Sequence, residues 1–133
     1  MSATAILCVD DELMVLHSLR DQISRYFGDR CQCELAESAA EALEVIEELE
    51  QNNIKLLIIV SDWLMPNLRG DEFLIQVHQR FPESIKILLT GQAESAAIDR
   101  ARQQANLFSH IPKPWDETTL IATLKSGLEA MYE

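Results

Sequence analysis

Ile54-Lys55-Leu56-Leu57-Ile58-Ile59-Val60-Ser61-Asp62 is the segment whose reading decides the fold. Its interior is apolar without alternation, so both of its faces have to be covered, as in a central parallel strand with helices on each side. The strand is predicted over 54–61, with Asp62 at its end. Working outward, the same kind of run recurs as Ile6-Leu7-Cys8-Val9, Ile85-Lys86-Ile87-Leu88-Leu89 and the more polar Leu107-Phe108-Ser109-His110-Ile111-Pro112. Cys31 to Ala36 supplies a fifth strand.

Helical periods lie between these runs. Leu16, Leu19, Ile23 and Tyr26 form a stripe that Gly28 stops. Ser38 is placed to cap a helix that turns Ala42, Leu43, Ile46 and Leu49 inward and Glu44, Glu47, Glu48 and Glu50 outward, until Asn52-Asn53 ends it. Phe73, Leu74, Val77 and Phe81 mark a helix that finishes before Pro82. Glu94 to Ala105 is rich in alanine, so its helix is expected to pack shallowly and to be the element most free to move. Asp116 caps a last helix with Leu120, Ile121, Leu124, Leu128 and Met131 on its apolar face. Strands alternating with helices, joined by right-handed crossovers, predict an α/β fold: a doubly wound five-stranded parallel sheet of order 2-1-3-4-5 with helices on both faces.

The 133 residues carry a formal charge of −11, with 47% hydrophobic and 25% charged residues. That size suits one domain over 1–133, and the composition is that of an ordinary soluble protein. The charge opposes sequence-independent nucleic-acid binding, which needs clustered Lys and Arg against phosphates. No apolar run reaches the length of a membrane span, and Met1-Ser2-Ala3-Thr4 opens without a basic flank, so a cytoplasmic protein without membrane contact is expected. Cys8, Cys31 and Cys33 read as reduced packing thiols. Strand alternation points Cys31 and Cys33 to one face, and neither a second Cys pair nor a nearby His completes a zinc set.

The strands end on reactive groups: Asp10-Asp11, Asp62, Thr90 and Lys113. In open parallel sheets ligands bind outside the carboxyl ends of the strands, at the point where strand order reverses, and here the first and third strands flank that point. Carboxylates about 4 Å apart repel by about 4 kcal/mol per pair at an effective dielectric of 20, so three of them call for a cation. Mg²⁺ suits the site because it takes one or two carboxylates together with phosphate oxygens and keeps its waters. Such an ion would offset charge on a transferring phosphoryl group while an Asp oxygen acts as nucleophile. Lys113 adds a mobile positive charge and Thr90 a hydroxyl donor.

These residues bring the chain close to a known family. Val9-Asp10-Asp11-Glu12, Asp62-Trp63-Leu64-Met65-Pro66-Asn67-Leu68-Arg69-Gly70, Leu88-Leu89-Thr90-Gly91 and Pro112-Lys113-Pro114-Trp115 resemble, in order and spacing, the receiver (phosphoacceptor) domain of two-component response regulators, a flavodoxin-like fold shared with chemotaxis regulators. The resemblance implies a phosphorylation-controlled signalling switch rather than an enzyme. Asp62 accepts a phosphoryl group from a histidine kinase or phosphotransfer protein. Asp10, Asp11, Asp62 and the backbone carbonyl of Leu64 hold Mg²⁺. Thr90 binds the phosphoryl group and shifts, Lys113 pairs with it, and the surface of the fourth helix, fifth strand and last helix signals to an output protein or fused output domain, or into a phosphorylation-linked homodimer. It also implies a cis Lys113–Pro114 bond, a kind of bond that proline makes accessible. Gly70 stands in the loop beyond the acceptor, where its backbone freedom is useful.

Some positions depart from the family pattern. The aromatic switch position three residues before the lysine is His110, which is smaller and titratable. It reads either as a pH-sensitive switch or as a semi-exposed strand histidine. Pro112 removes a backbone donor, so the fifth strand should be short or lose pairing. Leu64 and Gln92 stand where the family tunes hydrolytic water, and they imply slow to moderate self-dephosphorylation. The Lys113-Pro114-Trp115-Asp116 and Leu88-to-Ala93 segments look like receivers joined to signalling enzymes more than to DNA-binding output, and Trp115 reads as an anchor for the last helix. Of the competing classes, a haloacid-dehalogenase-type hydrolase would carry a second Asp where Leu64 stands. A flavin or nucleotide binder would need a Gly-rich loop after the first strand. A phosphate-independent interaction module would have no use for the intact acids and Lys113.

Overall fold

The computed structural model describes residues 3–91 and 95–131. Gln92 and the expected helix start at Glu94 lie outside the described residues. Five parallel strands form one sheet: β1 (Thr4–Val9), β2 (Gln32–Ala36), β3 (Lys55–Asp62), β4 (Ile85–Thr90) and β5 (Ser109–Pro112), in the order β2-β1-β3-β4-β5. The helices are α1 (Leu13–Phe27), α2 (Ala39–Gln51), α3 (Gly70–Arg80), α4 (Ser95–Gln104) and α5 (Glu117–Met131). The expected fold class and strand order are both present.

Two apolar layers sandwich the sheet. Leu16, Leu19, Ile23 and Phe27 of α1 pack with Leu120 and Leu124 of α5 on one face, while Ala42, Ile46 and Leu49 of α2 and Phe73, Leu74 and Val77 of α3 fill the other. The central strand feeds both layers, Ile58 and Val60 to the first and Leu56 and Ile59 to the second. Its register against β1 slips between Ala5–Leu56 and Ile6–Ile58, so Leu57 is the extra residue of a bulge.

Local chemistry sets the element ends. Ser38 Oγ accepts from the Glu41 N–H at 3.1 Å, and Asp116 Oδ1 accepts from the Thr119 N–H at 2.8 Å, as their cap positions predict. Gly28 stops α1 at φ +57°, a conformation that L side chains rarely adopt. The α1 stripe differs from expectation at its end. Phe27, four residues after Ile23, is buried, whereas Tyr26 is 40% exposed and its ring lies within cation–π distance of both Arg30 and Lys125. At the other end of the turn Gly28–Arg30 forms a short 3-10 helix, so β2 begins at Gln32 rather than Cys31. Cys31 and Cys33 still face the α1/α5 layer with Cys8, and all three thiols are free.

β5 starts at Ser109, two residues later than predicted, and reaches Pro112 at the sheet edge. There the missing donor of Pro112 costs no pairing across the sheet. Among the described residues no helix is long and apolar enough to cross a membrane.

Candidate functional site

The carboxyl ends of β1, β3 and β4 and the loop after β5 bring the sequence-predicted residues together. Asp10 follows β1 and is fully buried, and its backbone N–H donates to the Ala36 carbonyl at 3.1 Å. Its Oδ1 accepts from the Glu12 N–H at 2.8 Å, which fixes the carboxylate before α1 begins. Asp11 is exposed, while Asp62 closes β3 and is 7% exposed. One carboxylate oxygen from each of Asp10, Asp11 and Asp62 lies within 4.8 Å of the others.

Lys113 crosses the cluster, its Nζ 2.7 Å from Asp10 Oδ2 and 3.1 Å from Asp62 Oδ1. The loop that carries it contains the cis Lys113–Pro114 bond, and the Lys113 N–H donates to the Thr90 carbonyl at 2.6 Å. Burial and the neighbouring Asp10 charge push the Asp62 carboxyl up from its ordinary value, against the pull of Lys113. For Lys113, burial pulls the ammonium down, but hydrogen bonds and charge from Asp10 and Asp62 outweigh it and hold it above its ordinary value. Three acids against one ammonium leave negative charge uncompensated. The donor set, carboxylate oxygens alone, fits a hard divalent cation.

The acceptor loop is tightly built. Trp63 donates its N–H to the Leu89 carbonyl at 2.9 Å and accepts from the Gly70 N–H at 2.6 Å. A side chain at Gly70 would collide with the backbone carbonyl of Asp62, so close approach is what requires glycine here, with no positive φ involved. Met65 is buried beneath the loop and Leu64 is 64% exposed. Thr90, at the end of β4, is buried. His110 stands apart from the acids: it pairs in register with Leu88, is half-exposed, and its Nδ1 lies 3.5 Å from an Arg102 guanidinium nitrogen of α4. Trp115 is half-buried and anchored, its indole N–H donating to Gln22 at 2.8 Å.

Three features were missed in the sequence. Leu13 and Met14, exposed at the start of α1, join exposed Leu64 as apolar side chains on the segments leaving the acids. Lys86 is buried in β4 and bonds to His78 and the Phe81 carbonyl. A lysine inside the apolar run of a central strand was the available signal for that burial. Asp71 is buried between Arg69 and Arg100. In sequence it looks like an ordinary first-turn acid, and nothing local marks its burial.

Comparison with known proteins agrees with this geometry. The response regulator receiver domain model matches residues 6–125. The hydrogenase transcriptional regulatory protein HoxA of Cupriavidus necator is 33% identical over 94% of this chain, and the sensor kinase CckA of Brucella abortus is 32% identical over 96%. The chain spans only 24% and 13% of those two proteins. Among solved structures, the signal receiver domain of an HD domain-containing protein from Pseudomonas fluorescens Pf-5 aligns with a TM-score of 0.86 at 25% identity, covering 98% of each chain. A CheY-like receiver domain protein from Methanospirillum hungatei JF-1 aligns at 0.83 and 29% identity, also covering 98% of each.

Proposed function

As this chain belongs to the response regulator receiver domain family, we propose that it is a phosphorylation-controlled switch whose phosphoacceptor is Asp62. The observation that carries this reading is the cluster of Asp10, Asp11 and Asp62 oxygens bridged by Lys113. Asp62 is fixed by β3 and by the Gly70 contact beneath it, so its carboxylate is presented to the donor with little freedom left to lose. An Asp62 oxygen forms the new P–O bond as the donor's P–N bond breaks, and the bonding pair leaves with the imidazole of a histidine kinase or phosphotransfer protein. Asp10, Asp11, Asp62 and the Leu64 carbonyl would hold Mg²⁺, which when bound supplies charge neutralisation for the phosphoryl oxygens. Lys113 releases its hold on the carboxylates to pair with a phosphoryl oxygen, and the Thr90 hydroxyl donates to another.

Leu13, Met14 and Leu64 give the donor an apolar landing surface beside the acids. With Leu64 unable to orient water and Gln92 able to, self-dephosphorylation is slow to moderate, and residues 1–133 act as one phosphoacceptor unit rather than a turnover enzyme. The output is a change at the α4, β5 and α5 surface, with His110 as its titratable member, read in the cytoplasm by a partner protein, an attached domain or a second copy. Longer relatives that contain a matching segment include a transcriptional regulator and a sensor kinase, which supports an attached output.

The test is to give the protein Mg²⁺ with a small phosphodonor or with beryllofluoride and to follow intact mass and Trp63 fluorescence. Wild type is expected to gain one phosphoryl group and to change its fluorescence, and Asp62→Asn to do neither. Identical behaviour of the two proteins would sink the phosphoacceptor reading.

A further inference from the structure

α4 is the helix with the weakest apolar hold. Only Ala97 and Ala101 of its residues are buried, with Ile98 partly so, whereas α3 buries Phe73, Leu74 and Val77. Two alanine methyls bury little area and no interlocking shape, so they fix neither the position nor the rotation of a helix well. What ties α4 down is charge. Arg100 Nη1 donates to Asp71 Oδ2 at 3.1 Å, and the Asp71 side chain is fully buried while that of Arg100 is 38% exposed.

The pair belongs to a four-membered network. Arg69 reaches Asp71 and Glu72, and Arg100 lies 3.9 Å from Glu72. Of the two arginine contacts to Asp71, the interhelical one is the better formed. Arg69 bonds the same Asp71 oxygen at 3.4 Å, and although its Nε lies 3.3 Å from Asp71 Oδ1, neither of those two atoms has a hydrogen-bond partner among the described residues. An ion pair whose carboxylate is fully buried is a poor source of stability, because desolvating that charge consumes much of the attraction. What the pair adds is direction. One carboxylate oxygen gives α4 a defined point of attachment to α3.

Its other end is the acceptor. Asp71 directly follows Gly70, whose N–H is bonded to Trp63 and whose Cα packs on the backbone carbonyl of Asp62. The path from Asp62 to α4 therefore runs through one glycine and one ion pair. We infer that the Asp71–Arg100 ion pair is the mechanical tie through which the state of Asp62 sets the position of α4. The inference rests on the phosphoacceptor reading above and adds a transmission route through α3, independent of Thr90 and His110.

The experiment is amide hydrogen exchange over residues 95–104, with and without Mg²⁺ and beryllofluoride, with Trp63 fluorescence reporting ligand binding. The proteins are wild type, Arg100→Lys and the double variant Asp71→Leu/Arg100→Met, which removes both charges of the pair together and leaves Arg69 its bond to Glu72; circular dichroism and the urea midpoint check that each is folded. In wild type, beryllofluoride should change α4 exchange by about tenfold, within the range of allosteric couplings. In the double variant beryllofluoride should still bind, with α4 exchange changing less than about twofold, a coupling too small to count as transmission. Arg100→Lys keeps the cation and should keep the wild-type response. An undiminished response of α4 in the double variant overturns the inference, as does wild-type binding that leaves α4 unchanged. Failure of wild type to bind beryllofluoride at all overturns the phosphoacceptor reading first, and this tie with it.

Discussion

At the scale of single residues the least ordinary group outside the acid cluster is Lys86. It lies 1% exposed in the middle of β4, and its Nζ is 2.8 Å from His78 Nδ1 and 2.9 Å from the Phe81 carbonyl at the end of α3. A cation there is favoured by the helix C-terminus but has no carboxylate among its bonded partners. Burial pulls its ammonium down to about 8. The sign of the consequence is fixed by linkage. Below pH 8 both folded and unfolded chains carry the proton and the burial penalty is complete, whereas between 8 and about 10.4 the unfolded chain binds more protons, so stability rises with pH. The rise attributable to Lys86 is about 3 kcal/mol across that window. Urea midpoints of wild type and Lys86→Met between pH 7 and 10.5 check it: the difference between the two proteins should shift by that amount in favour of wild type, and a constant difference refutes it. Asp62 and Lys113 answer to each other instead, and their settings were readable from the motif, whereas the bonding of Lys86 depended on where the end of α3 falls in space.

At the scale of elements, the ends of helices were more legible than their faces. Ser38 and Asp116 announce themselves because a side-chain oxygen before an apolar stripe bonds a free N–H within one turn, which is a local event. Replacing either with Ala should lower stability by about 1 kcal/mol. The two losses should add within about 0.5 kcal/mol, since α2 and α5 cover opposite faces of the sheet and share no partner. Denaturant midpoints of the two single variants and the double decide this, and a single variant indistinguishable from wild type would show that its cap hydrogen bond contributes nothing. The burial of Phe27 in place of Tyr26 shows the opposite case. Both positions fit a helical stripe, and only the place where α1 crosses the sheet chooses between them. α4 was legible as shallow from its alanines, but its tie to Asp71 was not, because a first-turn acid looks the same whether it faces water or a neighbouring arginine.

At the scale of the whole molecule, strand order followed from the uninterrupted apolar runs and from crossover handedness, and that order brings Asp10, Asp11, Asp62, Thr90 and Lys113 to one end of the sheet. The exposure of Leu13, Met14 and Leu64 was not legible, since an exposed leucine is distinguished from a buried one only by the packing around it. The chain concentrates part of its charge of −11 in this site, where three carboxylates share one ammonium. Folding gathers these charges and the unfolded chain disperses them, so a cation held by the cluster binds the folded state selectively and stabilises it, by about 2.7 kcal/mol at a hundredfold excess over its dissociation constant. Monovalent salt only screens the repulsion, which is a weaker effect at the same ionic strength. Thermal unfolding in MgCl₂ should therefore exceed that in NaCl of equal ionic strength by several degrees. Asp11→Asn is the informative variant, because Asp11 is exposed and has no bond to Lys113, so its loss removes a ligand without disturbing the buried pair. It should unfold at or above the wild-type temperature without Mg²⁺, since one repulsive charge has gone, and should lose most of the Mg²⁺-specific increment. An equal increment in wild type and Asp11→Asn would locate the cation elsewhere on the acidic surface and separate it from the chemistry of Asp62.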